Sequence, residues 1–395
     1  MTKLIEITGK ALAGEWGVDD ELGSGIPVLR TTNFTNEGVV NFDNVVTRTI
    51  TKTNINEKYL RCGDIIIEKS GGSDTQPVGR VIYYDGPENT YLFNNFTGLL
   101  RVEDKNKWFP RYVFYSLFSN YRKGGTRRFE NKTTGLHNLK TDDYVAKYEV
   151  ANAEYPMQVK VCDRLDTIAK IIDLRKQQLS ALDDLIKARF VEMFGDPVTN
   201  PKGWEMHKLS EKLDVLGGYA FKSDGFDEKR GIPVLRIGNI NAGVFKPVNM
   251  VFWKEDDALC RYLMYPGDLV MSLTGTVGKD DYGNVCILGK DYDKYYLNQR
   301  NAKLEIRNGI DKYYLSQILR FEKIKKRLTG ISRGVRQANI SNKDILELKI
   351  PIPPLELQRQ YADFITQIEK SQKMCKKSLE KSQLLFDSLM KEYFG

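Results

Sequence analysis

The chain repeats itself after about 200 residues, and this duplication strongly limits the folds open to it. The run GIPVLR at residues 25–30 recurs at residues 231–236. Further matches follow in the same order, with residues 63–65 answered by 267–269, 158 by 358, and 194–195 by 394–395. Because the unit is far longer than a solenoid repeat, the 395 residues predict two copies of an independently folded module.

Each copy begins with a strand-rich part. Segments such as EGVVNFDNVV and CGDIIIEKSGG place β-branched and aromatic residues between Gly, Asn and Asp, a pattern typical of strands joined by turns. The predicted fold class is α+β, a tandem duplication of a β-rich mixed α/β domain that is followed each time by a long helix. The predicted boundaries are 1–155 for the first domain, 156–197 for the central helix, 198–353 for the second domain and 354–395 for the C-terminal helix.

The closing stretch of each copy has the pattern of a coiled coil. Apolar residues recur every three or four positions, and the predicted seam consists of Val161, Leu165, Ile168, Ile172, Leu179, Leu182, Ile365, Ile368, Leu379 and Phe386. One chain supplies both helices, so we expect an antiparallel pair with pseudo-twofold symmetry, each helix being about 60 Å long. The polar seam residues Arg175, Gln372 and Ser382 are either tolerated polarity or a device that fixes the register.

Several classes of protein are disfavoured by what the sequence lacks. The five Cys form no CxxC pair and there are two His, so we expect neither a disulfide framework nor a metal site. The apolar runs are too short to span a membrane and the N-terminus has no signal-peptide layout, so we expect a cytoplasmic protein with no membrane contact. HExxH, GxSxG and phosphate-loop patterns are missing. Asp64, Glu68 and Lys69 faintly suggest a nuclease, but the second copy has Ser272 and Leu273 instead. We expect no catalytic residues.

The positive charge is clustered rather than spread. The chain carries 60 Lys and Arg against 52 Asp and Glu. Basic residues fall at corresponding places in the two copies, and the candidates for phosphate contacts are Arg122, Lys123, Arg127, Arg128, Lys132, Lys326, Arg327, Arg333 and Arg336. The other interpretation, a solvated helix face, stays open, although recurrence in both copies favours a polyanionic partner.

Polar loops between the predicted strands are the candidates for reading bases, because Arg, Lys, Asn, Gln, Ser and Thr have the donors and acceptors that base edges require. These candidates are Arg30, Thr31, Asn33, Lys69, Ser70, Ser73 and Asn95 in the first copy, and Lys222, Arg236, Asn239, Ser272, Thr274, Thr276, Lys279, Arg300 and Gln337 in the second. The framework residues match between the copies while these loop residues diverge. Two copies of one scaffold that read two different sequences would show this pattern.

With this layout, the sequence resembles the DNA specificity subunits of type I restriction–modification systems. The resemblance is carried by the repeat, the GIPVLR run, the GGYAFK stretch at 217–222 and the IPPLELQ stretch at 352–358. The first copy departs from the pattern: it has YPMQ at 155–158 and no clear GGYAFK.

The resemblance implies two target-recognition domains that read the two halves of a bipartite, asymmetric site on double-stranded DNA. It implies that the helices dock two methyltransferase subunits and that restriction subunits join the complex. No cofactor is expected in this chain; S-adenosylmethionine would lie in the methyltransferase, and ATP and Mg in the restriction subunit. The remaining alternatives are a stand-alone DNA-binding regulator on the same scaffold and a coiled-coil adaptor without DNA function.

Overall fold

The computed structural model describes residues 1–133, 136–240, 243–279, 281–330 and 337–395, without the side chains of residues 132, 133 and 337. The chain divides into two compact units. Unit 1 comprises residues 1–176 and 377–395, and unit 2 comprises residues 177–376. Each unit therefore contains its own strand-rich part together with portions of both long helices.

The elements of the first copy are β1 (Thr2–Lys3), α1 (Leu4–Thr8), β2 (Leu12–Ala13), β3 (Val18–Asp19), β4 (Ile26–Leu29), β5 (Val46–Thr49), β6 (Ile65–Glu68), β7 (Ser70–Gly72), β8 (Val81–Tyr83), β9 (Leu92–Phe93), β10 (Thr97–Leu100), α2 (Pro110–Arg122), β11 (Glu130–Thr133), β12 (Leu136–Leu139), α3 (Thr141–Lys147), β13 (Glu149–Val150) and α4 (Tyr155–Phe194). The strands form sheets in the orders β2-β10-β6-β8, β3-β5-β4-β9, β11-β12-β7 and β1-β13.

The elements of the second copy are β14 (Met206–Lys208), β15 (Leu213–Gly217), β16 (Ile232–Leu235), β17 (Val251–Trp253), β18 (Leu263–Met264), β19 (Leu269–Ser272), β20 (Thr274–Thr276), β21 (Val285–Ile287), β22 (Tyr295–Leu297), β23 (Asn301–Ile306), α5 (Lys312–Arg320), α6 (Glu322–Thr329), β24 (Gln337–Asn339), α7 (Asn342–Glu347), β25 (Lys349–Pro351) and α8 (Leu355–Phe394). Their sheets have the orders β15-β23-β19-β21, β17-β16-β22-β18, β20-β24 and β14-β25.

The two copies share most of their strand topology. At the edges of one sheet they differ, because unit 1 has β3 beside β5 and unit 2 has β18 beside β22. β4 pairs in parallel with β9 through Val28 and Leu92, and β16 pairs in parallel with β22 through Val234 and Tyr296. Four-stranded sheets with the corresponding order flank this pairing in each unit. The fold is mixed α/β with many small sheets, as the α+β prediction required, and the duplication read from short sequence matches extends through the strand pairings.

The central strand of each unit separates two cores. Side chains alternate between the two faces of a strand, so an uninterrupted apolar run indicates that both faces are covered. Ile65 and Ile67 of β6 belong to the core that includes the helices, whereas Ile66 belongs to a second core beneath β4 and β9. In unit 2, Met271 and Val270 of β19 divide in the same way.

The long helices pair antiparallel within each unit. In unit 1, Leu165 and Ile168 near the start of α4 share a core with Phe386 and Met390 near the end of α8. In unit 2, Phe190 near the end of α4 contacts Tyr361 near the start of α8, with ring centroids 5.6 Å apart. α4 covers Tyr155–Phe194 and α8 covers Leu355–Phe394, where the sequence predicted helices over 156–197 and 354–395.

Most of the predicted seam is buried. This group comprises Val161, Leu165, Ile168, Ile172, Ile365, Ile368 and Phe386, while Leu179, Leu182 and Leu379 are half-buried. Of the polar seam residues, Gln372 donates to Asp183 Oδ1 at 2.7 Å, a contact between the two helices of unit 2. Ser382 instead donates to Ser378 O of its own helix at 3.0 Å. The seam thus contains both tolerated polarity and a cross-helix contact that can favour one register.

A buried glutamine fastens each long helix to its unit. Gln158 Oε1 accepts from Phe109 N at 2.8 Å, and its Nε2 donates to Lys107 O and Ala153 O. Gln358 does the same with Asp311 N, Gly309 O and Pro353 O. Both side chains satisfy backbone groups that would otherwise be buried without partners.

Within the described ranges, no helix combines the length and apolar character needed to cross a membrane. The same ranges hold no cluster of three or more His, Cys, Asp or Glu side chains able to bind a metal ion.

Candidate nucleic-acid interface

The first predicted loop forms the same turn in both units. We call residues 30–33 and 236–239, each including one turn of 3-10 helix, the Arg–Asn loops. Asn33 Oδ1 accepts from Arg30 N at 2.9 Å, and Asn33 Nδ2 donates to Asn41 O at 3.0 Å. Asn239 repeats these bonds with Arg236 N and Lys246 O at 2.9 and 3.0 Å.

This geometry changes the role assigned to four predicted contacts. Asn33 and Asn239 are 2% exposed, so their amides hold the loop and do not face a ligand. The guanidinium groups of Arg30 and Arg236 donate to the carbonyls of Asn44 and Asn249, which lie at positive φ of 56° and 51°. These four residues shape the loop, and of the four only Arg236 is exposed. Thr31 is half-buried, and its carbonyl accepts from Arg80 at 2.9 Å.

A second loop lies beside each Arg–Asn loop. We call residues 94–97 and 298–301 the tip turns, because they connect β9 to β10 and β22 to β23. The first turn is closed by Thr97 N donating to Asn94 O at 3.1 Å, and the second by Asn301 N donating to Asn298 O at 2.9 Å. Asn95 and Arg300, both predicted from the sequence, are exposed at the centres of these turns.

In unit 2 the two loops line one cleft. Its volume is about 430 Å³, and its walls include Phe221, Arg236, Asn239, Gln299 and Arg300. The structure therefore brings together predicted residues that lie about 60 positions apart in the sequence. Lys222 directly follows the lining residue Phe221 and is exposed. Sequence reasoning singled out the 298–300 loop but missed Phe221 as a lining residue.

The first copy has a structural counterpart of the GGYAFK stretch at 217–222, although its sequence has no clear match to it. Glu15 N donates to Phe93 O at 2.8 Å, as Tyr219 N donates to Leu297 O at 2.9 Å. Gly14 therefore corresponds to Gly218, and Glu15 to Tyr219. A single shared glycine was too little to identify this correspondence by letters alone.

The side chains at this shared position differ in kind. Glu15 is buried and forms ion pairs with Lys58 and, at 2.9 Å, with Lys52. The hydrogen bonds from these lysines hold the pKa of Glu15 below the ordinary carboxyl value. Tyr219 instead packs against Phe221 and Tyr262, with ring centroids 5.0 and 5.4 Å away. The two units thus present different surfaces on one backbone.

A further group of predicted residues lies around β7 and β20. Ser70 pairs with Asn138 of β12, and Thr274 pairs with Asn339 of β24, so both strands sit at corresponding places. Lys69, Ser70, Ser73 and Thr274 are half-buried, whereas Thr276 and Lys279 are exposed. Ser272 is fully buried and accepts from Asn284 N at 3.1 Å, so it supports the strand from inside and is not accessible to DNA.

Part of the basic stretch is committed to contacts inside unit 1. Arg122 forms an ion pair with Asp387 at 2.9 Å, and Lys123 donates to Phe394 O at 2.8 Å. Arg127 donates to the carbonyls of Asp74 and Thr75 at 3.2 and 3.4 Å. Arg128 is exposed and lies over the Phe129 ring at 4.9 Å.

In unit 2, Lys326 pairs with Glu322 at 2.6 Å, and Arg327 is exposed. The predicted contacts Arg333 and Arg336 lie outside the described residues, as do the side chains of Lys132 and Gln337. Among the described residues of the two stretches, the exposed side chains of Arg122, Lys123, Arg127 and Lys326 make contacts within their own unit.

The residues that faintly suggested a nuclease are structural ion pairs. Asp64 accepts from Arg101 Nε at 2.8 Å and Nη2 at 2.6 Å. Glu68 lies 3.4 Å from Arg80, and burial raises the pKa of the Glu68 carboxyl. Both carboxylates are buried.

Known proteins resemble this chain in sequence and in fold. Residues 201–381 match the family described as the type I restriction modification DNA specificity domain. The chain is 27% identical over 324 residues to the type I restriction enzyme MjaVIII specificity subunit of Methanocaldococcus jannaschii, which covers 73% of this chain and 72% of that protein.

Two solved structures match over the full length of the chain, and at 16% identity they bear on the fold alone. One is the S subunit of a type I restriction-modification system from M. genitalium, with a TM-score of 0.62 over 95% of that chain. The other, from work on complex assembly and conformational transition of the type I R-M system, has a TM-score of 0.54 over 96% of that chain at the same 16% identity. The matched domain and the curated relative agree that this chain is similar to the DNA specificity subunits of type I restriction–modification systems, and the solved structures share its fold.

Proposed function

We propose that each unit of this chain reads one half of a bipartite, asymmetric DNA site. The observation that carries the proposal is the pair of tip turns, which have the same backbone hydrogen bonds but expose Asn95-Phe96 in unit 1 and Gln299-Arg300 in unit 2. A duplicated scaffold with different exposed side chains is suited to two different half-sites. Linking two weak readers in one chain converts two short half-sites into one specific site through effective concentration.

Exposed cations of the two units would supply affinity without sequence preference. Arg128, Lys279 and Arg327 are exposed and could neutralise phosphates, which releases counterions and makes binding weaken as salt rises. Phosphate contacts would fix the position of each unit on the duplex, and base contacts from the loops would supply the specificity.

The long helices are proposed to dock two methyltransferase subunits, with restriction subunits joining the complex. In unit 1 they expose Leu174 on α4 and Leu384 on α8 at 51% and 70%, and in unit 2 Met374 of α8 is 74% exposed. Exposed apolar side chains on a helix mark an interaction surface when they cluster. Methyl transfer, with S-adenosylmethionine, and cleavage, with ATP and Mg, would take place in those partners, and this chain would be non-catalytic.

Selection from a random-sequence DNA library tests the proposal, with the full chain alone and with its methyltransferase partner. We expect enrichment of two short, different half-sites separated by one fixed gap. A contiguous or palindromic motif would instead identify a stand-alone regulator. No enrichment in either condition would leave a coiled-coil adaptor and reject DNA reading.

A domain exchange sharpens this test. Replacing residues 1–155 with the corresponding part of another specificity subunit should change one half-site and leave the other unchanged. A change in both halves would contradict independent reading by the two units.

A further inference from the structure

The side chains at the centres of the tip turns are exposed, and no contact within the described part of the fold explains their identity. Phe96 is 55% exposed, an unusual place for a large aromatic ring at the end of a strand connection. Across the described residues, the side chains of Asn95, Phe96, Gln299 and Arg300 make no hydrogen bond, ion pair or ring contact. Their neighbours do the structural work: the backbone groups of Asn94 and Asn298 close the turns.

The two turns correspond residue by residue. Lys69 N donates to Phe96 O at 2.8 Å, and Leu273 N donates to Arg300 O at 2.9 Å. These matching bonds pair Phe96 with Arg300 and therefore Asn95 with Gln299. The units thus carry different side chains at two equivalent, exposed and unpartnered positions.

Both turns are held rigidly beside their Arg–Asn loops. Asn94 N donates to Leu29 O at 3.0 Å, and Asn301 Nδ2 donates to Leu235 O at 2.7 Å, so each turn is tied to the residue preceding Arg30 or Arg236. A Cβ added at Gly14 would lie 2.1 Å from Asn94 O, and one at Gly218 would lie 2.2 Å from Asn298 O. Only glycine allows this approach, which fixes the backbone and leaves the two central side chains variable.

We infer that residues 95–96 and 299–300 are the base-reading residues of the two units. The inference rests on the proposed function and names the side chains that carry it. Arg pairs bidentately with guanine, Asn and Gln pair bidentately with adenine, and an apolar side chain contacts the thymine methyl group. From Gln299 and Arg300 we therefore expect the half-site of unit 2 to contain an adenine and a guanine. From Asn95 and Phe96 we expect unit 1 to read A·T pairs in its half-site.

The conservative substitution Arg300→Lys separates base reading from phosphate contact. Lysine keeps the charge but lacks the planar fork that matches the guanine edge. Because lysine can still donate to the guanine acceptors, Arg300→Lys should reduce the guanine preference only in part, while the salt dependence of binding stays the same. Arg300→Ala should lose about 5- to 150-fold in guanine preference together with part of the salt dependence.

The decisive variant transfers the tip of unit 2 to unit 1. The double substitution Asn95→Gln/Phe96→Arg leaves every turn hydrogen bond in place because these bonds come from the backbone and from other residues. In library selection with the full chain and its methyltransferase partner, we expect a guanine to appear in the unit 1 half-site. The unit 2 half-site and the gap should not change.

The outcomes separate this inference from the function on which it rests. If the unaltered chain selects a bipartite site and the double variant selects the identical site, the turns do not read bases, although bipartite reading stands. If Arg300→Ala keeps the guanine preference, the assignment to unit 2 is overturned in the same way. If the unaltered chain selects no site, both proposals fall. An unchanged thermal unfolding midpoint of each variant verifies that its fold is intact.

Discussion

The two units solve the same structural problems with different side chains. At the end of β6 in unit 1, buried Glu68 pairs with Arg80 at 3.4 Å, and Arg80 also donates to the carbonyls of the loop at Thr31 and Phe34. At the matching place in unit 2, Ser272 accepts from Asn284 N. An ion pair has been exchanged for a neutral hydrogen bond without altering the strand order.

The two units retain the same side chains where these form hydrogen bonds with buried backbone groups. Gln158 and Gln358 make the same three bonds, and Asn33 and Asn239 hold the same loop. A buried backbone group needs a partner in a fixed place, so these residues cannot be exchanged freely. Surface residues of the loops have no such duty, which leaves them free to specify different ligands.

The largest predicted effect is the destabilisation caused by placing a charge in the helix seams, which are alike in the two units. Ile168→Asp in unit 1 and Ile368→Asp in unit 2 each put a carboxylate at a position that is 9% exposed. Each should lower the free energy of unfolding by about 4 kcal/mol, because a buried charge without a partner is strongly unfavourable. Urea unfolding measures the loss, and pull-down with the methyltransferase measures docking.

Matched controls lie on the same helices. Ile171 of α4 and Met374 of α8 are 39% and 74% exposed, so Ile171→Asp and Met374→Asp should cost under about 0.5 kcal/mol. If these exposed substitutions destabilise as much as the seam ones, the assigned seam is not the packed face. If the seam variants still bind the methyltransferase, the helix pair is not the dock.

A smaller difference is expected between the ion pairs of two equivalent aspartates, which have cationic partners at different positions. Asp64 has a side chain 2% exposed and binds Arg101, whereas Asp268 is 24% exposed and lies 3.0 Å from Lys303. Asp64→Asn should cost about 3 kcal/mol because it leaves Arg101 with no countercharge in a buried site. Asp268→Asn should cost about 1 kcal/mol because water replaces part of the loss. Equal losses in urea unfolding would mean that burial does not set the strength of these pairs.

The duplication and the class of fold could be predicted from the sequence because they depend on local patterns. It misplaced Asn33 and Asn239 as base contacts because a polar residue in a turn looks the same whether it bonds the backbone or a ligand. It counted Arg122 and Lys123 as free cations because their partners, Asp387 and the carbonyl of Phe394, lie far along the chain. Only the folded structure brings such groups together.

The basic stretches allow a test on the scale of individual phosphate contacts. Arg128→Ala and Arg327→Ala should each reduce the slope of log affinity against log salt by about 0.9, the effect of one phosphate contact on duplex DNA. Arg122→Ala should change the slope much less, because its guanidinium is paired with Asp387. Binding to a duplex that contains the selected site, measured at several salt concentrations, gives all three slopes. A larger effect for Arg122 than for Arg128 would reverse this order.

The smallest effect concerns the shared position where unit 1 has Glu15 and unit 2 has Tyr219. Hydrogen bonds from Lys58 and Lys52 lower the pKa of Glu15 in the folded chain, so its charge stabilises the fold above the ordinary carboxyl pKa near 4.3, and this stabilisation is lost as pH falls through the lowered value. Glu15→Gln should therefore cost about 1 kcal/mol at pH 7 and progressively less towards pH 3. Tyr219→Phe changes no carboxylate and is the control at the equivalent position; its cost should be the same at pH 7 and pH 3. A pH-independent cost for Glu15→Gln would mean that shape, and not charge, is what unit 1 uses where unit 2 has an aromatic ring.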